Sequence, residues 1–336
     1  MQLSKPIFAQ MTLLPTLLMG VRTSFLSCSQ LSECFASEEA WQKTKKIHTN
    51  TYVWGEGYQV DSSQEFSNFT PKNIKNFKGE KTPDIVDVSF GWYHEAYIDK
   101  QGNLYVCAKA KMSSVKIKEV PDGIRDPLVK VESLPRGTKV QQVAFTRQRM
   151  FVVTQDGKLF VFRIAEKAPT REEKMFSKVK AQFTGELLID SPILVKDMAK
   201  IKMIGTGVDH IVMLDKTGQV WAMGDDTFGQ CGQGQENRQK VAPFFEYRHR
   251  TPQKIPIPEK VVKVVSGNRH CLAITEKGKL FGWGFNSMQQ LSHSDEYQDA
   301  ENPSHAIFEP TLMTGELKGK FVVDAAAGEE HTVVVC

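Results

Sequence analysis

The sequence lacks the features of several large protein classes. No run of 18 or more apolar residues occurs, so no segment has the length of a membrane-spanning helix. The six cysteines are scattered and form no Cys-x-x-Cys pair, which excludes the common zinc-knuckle and thioredoxin-like motifs. A net charge of +4 on 336 residues is too small to indicate nucleic-acid binding by itself.

Signatures of nucleotide-binding and hydrolytic enzymes are missing as well. The chain contains no GxGxxG, GxxxxGK[ST], GxSxG or HExxH motif. Its acidic pairs, such as Asp225-Asp226 and Glu329-Glu330, fall at predicted turns, where solvated carboxylates are usual. The sequence therefore predicts a protein that is not an enzyme, without a catalytic residue, cofactor or metal site.

The first 48 residues differ in composition from the rest. No acidic residue precedes Glu33, serine is frequent, and the apolar run from Ile7 to Val21 is interrupted by Pro15. An acid-poor, serine-rich segment is typical of a mitochondrial transit peptide, but the apolar run also fits a secretory signal. An ordinary extension of a cytoplasmic protein is the third interpretation. We assign 1–48 to an N-terminal leader or extension and 49–336 to the folded domain, and expect a mitochondrial location.

A repeat organises the remaining chain, with steps of 55, 61, 60 and 61 residues between positions 94, 149, 210, 270 and 331. Four of these positions are histidine and are preceded, three residues earlier, by glycine. The copy at 149 has lost both, since it carries Thr146 and Arg149. Each copy continues as a β-prone strand, a glycine turn and a return strand such as 279–284. Strands at an even period predict a propeller.

The combined motif resembles the regulator of chromosome condensation repeat. The copy at 207–232 runs from Gly-Val-Asp-His through Trp-Ala-Met-Gly to Gly-Gln-Cys-Gly, and the copy at 267–292 ends in Gln-Gln-Leu-Ser instead. The resemblance implies an all-β fold, a β-propeller of about five visible blades, where the family usually has seven. Strands 51–55 and 332–336 share one blade in one interpretation, and the chain is truncated by two repeats in the other.

Repeated residues are predicted to be structural, because symmetry spreads them around a ring and keeps them from converging on one metal ion. They are Gly91, His94, Gly207, His210, Gly267, His270, Gly328, His331, Trp54 and Trp283.

The insert 233–256 is the best candidate for a functional surface. We predict a long loop there, and long loops on rigid scaffolds often carry function. Its interleaved arginines and aromatics suit a protein interface or stacking on single-stranded RNA, although a solvated loop tucked against the rim has the same composition. The predicted interaction residues are Arg238, Lys240, Phe244, Phe245, Tyr247, Arg248 and Arg250.

These observations favour a non-catalytic protein-interaction scaffold, an assembly or regulatory factor of the mitochondrion. The family resemblance keeps two alternatives open. One is a guanine-nucleotide exchange factor for a small GTPase, and the other is an RNA-binding factor of ribosome assembly. The expected partner is accordingly a protein, either an assembly complex or a small GTPase, with RNA as the alternative.

Overall fold

A computed structural model describes residues 52–55, 68–73, 83–91, 94–108, 129–167, 182–237, 240–241, 246–291 and 305–336. The predicted leader, 1–48, lies outside the described residues. Among those described, strands dominate and are arranged in consecutive antiparallel sheets, which confirms the predicted all-β propeller. No helix among these residues has the length and apolar character needed to cross a membrane.

Four consecutive sheets form blades I to IV, and in each the first three strands follow chain order. Blade I contains β3 (Ile85–Phe90), β4 (His94–Asp99), β5 (Leu104–Ala108) and β6 (Val129–Lys130). Blade II contains β7 (Val140–Phe145), β8 (Arg149–Thr154), β9 (Leu159–Lys167) and β10 (Gln182–Leu194).

Blade III has five strands, and blade IV has four. Blade III contains β11 (Ile201–Thr206), β12 (His210–Asp215), β13 (Val220–Asp225), β14 (Lys240–Val241) and β15 (Glu246–Ile255). Blade IV contains β16 (Val261–Ser266), β17 (His270–Thr275), β18 (Leu280–Gly284) and β19 (Ile307–Leu312).

Two-stranded sheets precede blade I and follow blade IV. β1 (Tyr52–Gly55) pairs with β2 (Asn68–Asn73), and β20 (Asp324–Ala327) pairs with β21 (Thr332–Val335). Within the described part of the chain these are separate sheets. Trp54 lies in β1, as predicted for the first return strand.

The first strand of each blade lies innermost, because β3, β7, β11, β16 and β20 contact one another in series. The second strands β4, β12 and β17 are buried along their whole length. Apolar clusters fill the spaces between blades I and II, II and III, and III and IV. Turns such as the one at Gly218, whose φ is +94°, connect the second and third strands.

The insert 233–256 departs from the predicted loop. Its second half is β15, which pairs with β13, and β14 pairs with β15 in a hairpin at the outer edge of blade III. The prolines made a loop the natural expectation, because proline cannot donate to a strand ladder. Between Ala222 and Gly224 the register of β13 against β15 shifts, and Pro252 lies in the bulged part of β15, where its missing N–H does no harm.

Candidate interaction face

We define the first face of the propeller by the Gly-x-x-His loops that join the first and second strands of each blade. The third strands return to this face, since Gly224 pairs with His210 and Gly284 pairs with His270. Arg248 is opposite Asp225 at the end of β13, so the β14–β15 hairpin emerges at the same face on the outer rim. The glycine turns between second and third strands form the second face.

Each buried histidine of the repeat reaches toward the next blade. His210 Nε2 lies 2.8 Å from Ser266 Oγ and 3.2 Å from Cys271 Sγ, both in blade IV. His270 Nε2 lies 3.2 Å from Thr332 Oγ1 in β21. His94 stacks on Phe145 of blade II, with ring centroids 6.1 Å apart. The histidines therefore join neighbouring blades.

The glycine of the motif is required by this histidine. A Cβ atom on Gly207 would lie 2.1 Å from Cε1 of His210 and 2.6 Å from the Asn268 carbonyl oxygen. Gly267 stands in the same relation to His270, with a distance of 2.3 Å. Real Cβ atoms do not approach other atoms so closely, so no larger side chain fits without displacing the ring. Glycine and histidine form one structural unit.

The other repeated residues lie at equivalent positions of the repeat but contact different side chains. Gly91 and Gly328 likewise leave no room for a Cβ atom, which would lie 2.8 Å from Phe145 and 2.2 Å from His331. His331 itself is exposed. Within the described residues its sheet contains two strands, β20 and β21. Trp283 is fully buried, and its Nε1 donates to the Gln230 carbonyl at 2.9 Å.

His210, Ser266 and Cys271 resemble a catalytic constellation, but their electrostatics are those of a packed core. Burial lowers the pKa of His210 to about 4, so its ring is neutral near pH 7. Burial likewise raises the pKa of Cys271 to about 12, which keeps the thiol protonated. A neutral ring beside a protonated, buried thiol is not an activated nucleophile. No group of three or more His, Cys, Asp or Glu side chains in the described ranges is placed to hold a metal ion.

A buried contact between a histidine and a carboxylate anchors the base of the hairpin. His249 Nε2 lies 3.1 Å from Asp226 Oδ2, and the two side chains are 2% and 0% exposed. Asp226 Oδ1 accepts the Cys231 N–H at 2.8 Å and so closes the loop after β13. In blade IV, Asn286 Oδ1 makes the same contact with the Leu291 N–H at 2.9 Å. Blade III has therefore kept the loop contact and added a histidine partner from β15.

The structure describes four of the seven predicted interaction residues and places them in the β14–β15 hairpin. Lys240 and Tyr247 are directly paired positions of β14 and β15, which places them together in the hairpin. Arg248 is half-buried and Arg250 is exposed on the same strand. Arg238, Phe244 and Phe245 lie outside the described residues.

Several charged and aromatic residues of the first face went unnoticed in the sequence. Arg269 lies over the ring of Phe228, 5.1 Å from its centroid, and Phe228 meets Phe285 edge to face at 4.9 Å. Asp209 interacts with Arg147, Arg149 and Arg248, and its pKa is raised, chiefly because burial removes water from the carboxylate. In the sequence, only the altered repeat at 146–149 pointed to this group of charged residues.

Comparison with known proteins agrees with this geometry. The family model described as "Regulator of chromosome condensation (RCC1) repeat" matches residues 217–274 and 277–335, and a second model of the repeat matches 201–230 and 261–290. Residues 201–335 therefore carry repeats of the regulator of chromosome condensation type. The resemblance inferred from the motifs is thereby confirmed, and the matched residues cover blades III and IV and the sheet that follows them.

Curated relatives and a solved structure extend the likeness over the earlier blades. Protein pim1 of Schizosaccharomyces pombe is 23% identical over 303 residues, covering 85% of this chain and 52% of its own. Guanine nucleotide exchange factor SRM1 of Saccharomyces cerevisiae is 25% identical over 284 residues, covering 75% and 54%. The crystal structure of Prp20p from Saccharomyces cerevisiae, 15% identical, superposes with a TM-score of 0.59 over 85% of this chain and 64% of that one. The chain thus spans about half the length of the curated relatives.

Proposed function

We propose that this propeller is a non-catalytic scaffold that binds a protein partner through its first face. The observation that carries the proposal is the β14–β15 hairpin, an addition to the rim of blade III that opens at the first face. Arg248 and Arg250 lie on this hairpin, and Arg269 lies on an aromatic pair on the same face. Arginines and aromatic rings are the residues enriched in interface hot spots.

The different roles of the repeated residues and the variable residues support this proposal. The repeated glycines and histidines are occupied by contacts between blades, as His210 is with Ser266. Residues that differ between repeats, such as Arg149 and Arg269, are accessible on the first face. Rigid scaffolds commonly bind through loops and insertions that vary on an otherwise constant frame.

A matched pair of charge reversals tests which face binds. The first-face variant combines Arg250→Glu and Arg269→Glu, and the control combines Lys158→Glu and Lys277→Glu in turns of the second face. Lys158 and Lys277 have side chains that are 59% and 66% exposed, so the control changes charge equally without burying it. Partners crosslinked to the wild type in cells are quantified for both variants by mass spectrometry. We expect loss of partners for the first-face variant only; loss for the control alone would place binding on the second face and overturn the proposal.

We also propose that the partner is an assembly or regulatory complex of the mitochondrion. The acid-poor, serine-rich composition of 1–48 supports this location. Imaging the full chain beside a variant without residues 1–35 tests it. Mitochondrial signal that depends on the first 35 residues is expected, and secretory or diffuse signal of the full chain would refute it.

Guanine-nucleotide exchange on a small GTPase is the second candidate. It is favoured by the relatives, since SRM1 is called a guanine nucleotide exchange factor and the Prp20p structure is described together with its binding properties to Gsp1p and histones. An exchange factor needs a projecting element that displaces nucleotide, and the β14–β15 hairpin is such an element in this chain.

Release of mant-GDP from purified small GTPases distinguishes the two candidates. If the chain exchanges nucleotide, it should accelerate release from one GTPase, and the Arg250→Glu/Arg269→Glu variant should lose this acceleration while the second-face control keeps it. If the chain binds a partner but accelerates nucleotide release from no GTPase, the scaffold function is supported and the exchange function is refuted.

A further inference from the structure

The copy of the repeat in blade II places an arginine where the other blades have histidine. His94, His210 and His270 are at most 1% exposed and touch the following blade. Arg149 occupies this position in β8, is half-buried, and interacts electrostatically with Asp209 of blade III. The blade II–III junction therefore exchanges a neutral contact for a charged one at the first face.

A second arginine lies directly beside Arg149. In the antiparallel pairing of β8 with β9, Arg149 is opposite Arg163, so the two side chains leave the same side of the blade with Cβ atoms about 5 Å apart. Arg163 is exposed. Like charges directly opposite one another destabilise a sheet. An anion bound between the two side chains would offset this repulsion, which gives a reason for two arginines at these positions.

Both arginines face blade III. Side chains alternate along a strand, so Arg149 points the same way as Phe151 and Arg163 the same way as Val161. Phe151 and Val161 belong to the apolar cluster between blades II and III, whereas their neighbours Met150 and Phe162 belong to the cluster between blades I and II. The two guanidinium groups thus lie at the first-face end of the II–III interface.

Blade III contributes the opposing side of the same junction. Arg248 of β15 is opposite Asp225 of β13, and both interact with Asp209 in the β11–β12 loop. Arg147, in the preceding loop of blade II, also interacts with Asp209, and its backbone N–H donates to the Val208 carbonyl at 2.7 Å. Three arginines therefore interact with Asp209, and Arg163 lies beside one of them, Arg149.

We propose that this junction, formed by Arg147, Arg149, Arg163 and Arg248, binds an acidic peptide segment of the protein partner. The proposal rests on the scaffold function and names the chemistry that the first face recognises. Guanidinium groups bind carboxylates through paired hydrogen bonds, and Arg147, Arg149 and Arg248 each favour the charged form of Asp209 electrostatically. The cluster is one compact patch at a single junction, whereas single-stranded nucleic acids bind along charged grooves that follow several nucleotides of the backbone.

Binding of defined probes tests the proposal on the full chain. A fluorescein-labelled hexaglutamate peptide and a labelled dodecauridylate RNA are titrated by fluorescence anisotropy at 50 and 200 mM salt. The variants are Arg163→Gln, which alters an exposed side chain, and Arg149→Gln/Arg163→Gln; Lys158→Gln/Lys277→Gln is the control with equal charge loss. We expect each arginine lost to weaken hexaglutamate binding about tenfold, the change produced by one charge-assisted contact of about 1.4 kcal/mol, and the control to bind like the wild type.

The outcomes separate this inference from the scaffold function. Equal weakening in the control, unchanged binding in both arginine variants, no binding of hexaglutamate, or tighter binding of the RNA would each overturn the acidic-peptide site. Recovery of crosslinked partners is measured in parallel for Arg163→Gln. Partners lost from the Arg250→Glu/Arg269→Glu variant but fully retained by Arg163→Gln would leave the scaffold intact and reject the junction as its binding site.

Discussion

The buried pair of Asp226 and His249 gives the sharpest test of how the hairpin is held. Asp226→Asn preserves the side-chain oxygen that accepts the Cys231 N–H, because Asn286 makes the same contact in blade IV. It removes only the charge that faces His249. Asp226→Ala removes both interactions. His249→Ala leaves a fully buried carboxylate without its partner.

The expected losses follow from burial. Leaving a buried carboxylate without a hydrogen-bond donor costs about 3 kcal/mol or more, because the group remains in a site without water. We expect this loss for His249→Ala, and at least as much for Asp226→Ala, which also leaves the Cys231 N–H unpaired. Asp226→Asn should lose only about 1.5–3 kcal/mol, the contribution of a hydrogen bond to a charged group.

Urea unfolding of each variant at pH 7 measures these differences, and hydrogen exchange of the β15 amides locates them. The matched control is Asp156→Asn, which breaks an exposed pair with Lys158 at 2.7 Å and should cost no more than about 1 kcal/mol. If Asp226→Asn loses as much free energy of unfolding as Asp226→Ala, the hydrogen bond from the Cys231 N–H does not account for the stability that Asp226 provides. If neither exceeds the control, or β15 exchange is unaltered, the pair does not anchor the hairpin.

Three further predictions concern the repeat. Burial lowers the pKa of His210 and His270 to about 4, whereas histidine in the unfolded chain titrates near 6.5, so only the unfolded chain gains protons between these values. The free energy of unfolding should therefore fall as the pH drops from about 6.5 to about 4. Urea midpoints measure this loss, which should be smaller in His270→Gln. Gly267→Ala should destabilise by more than about 2 kcal/mol in the same assay, whereas Gly137→Ala, with open space around it, should cost only about 1 kcal/mol; equal losses would refute the steric argument. Trp283→Phe leaves the Gln230 carbonyl with only the weak Cys271 thiol donor at 3.6 Å and should lower the thermal midpoint by several degrees; an unchanged midpoint would contradict the role of the indole bond.

The blades were predictable from the sequence because their defining contacts recur. Gly207 and His210 are three residues apart, and their steric relation repeats at Gly267 and His270. A period of 60 residues then repeats the strand and turn positions of blade III in blade IV. What recurs at a fixed spacing is visible in one chain, since each copy supports the interpretation of the others.

The hairpin was not predictable, since it occurs in one blade. Asp226 alone reads as a solvated turn residue, and His249 reads as part of a loop that contains prolines. Their pairing depends on the bulge in β15, which brings His249 opposite Gly224. A register shift of this kind is set by tertiary packing rather than by local propensity, so no periodic pattern announces it.

Arg149 shows why a departure from the repeat can carry more information than the repeat. In a chain of repeats each blade contacts chiefly its neighbours, so a blade that gives up its histidine must restore the contact or weaken that one interface. Arg149 restores it through Asp209, but a guanidinium group, unlike a neutral imidazole, is poorly accommodated in an apolar junction and stays near water. The substitution therefore moves an inter-blade contact from the core to the first face, beside Arg163, where an acidic ligand can compete for the same charge.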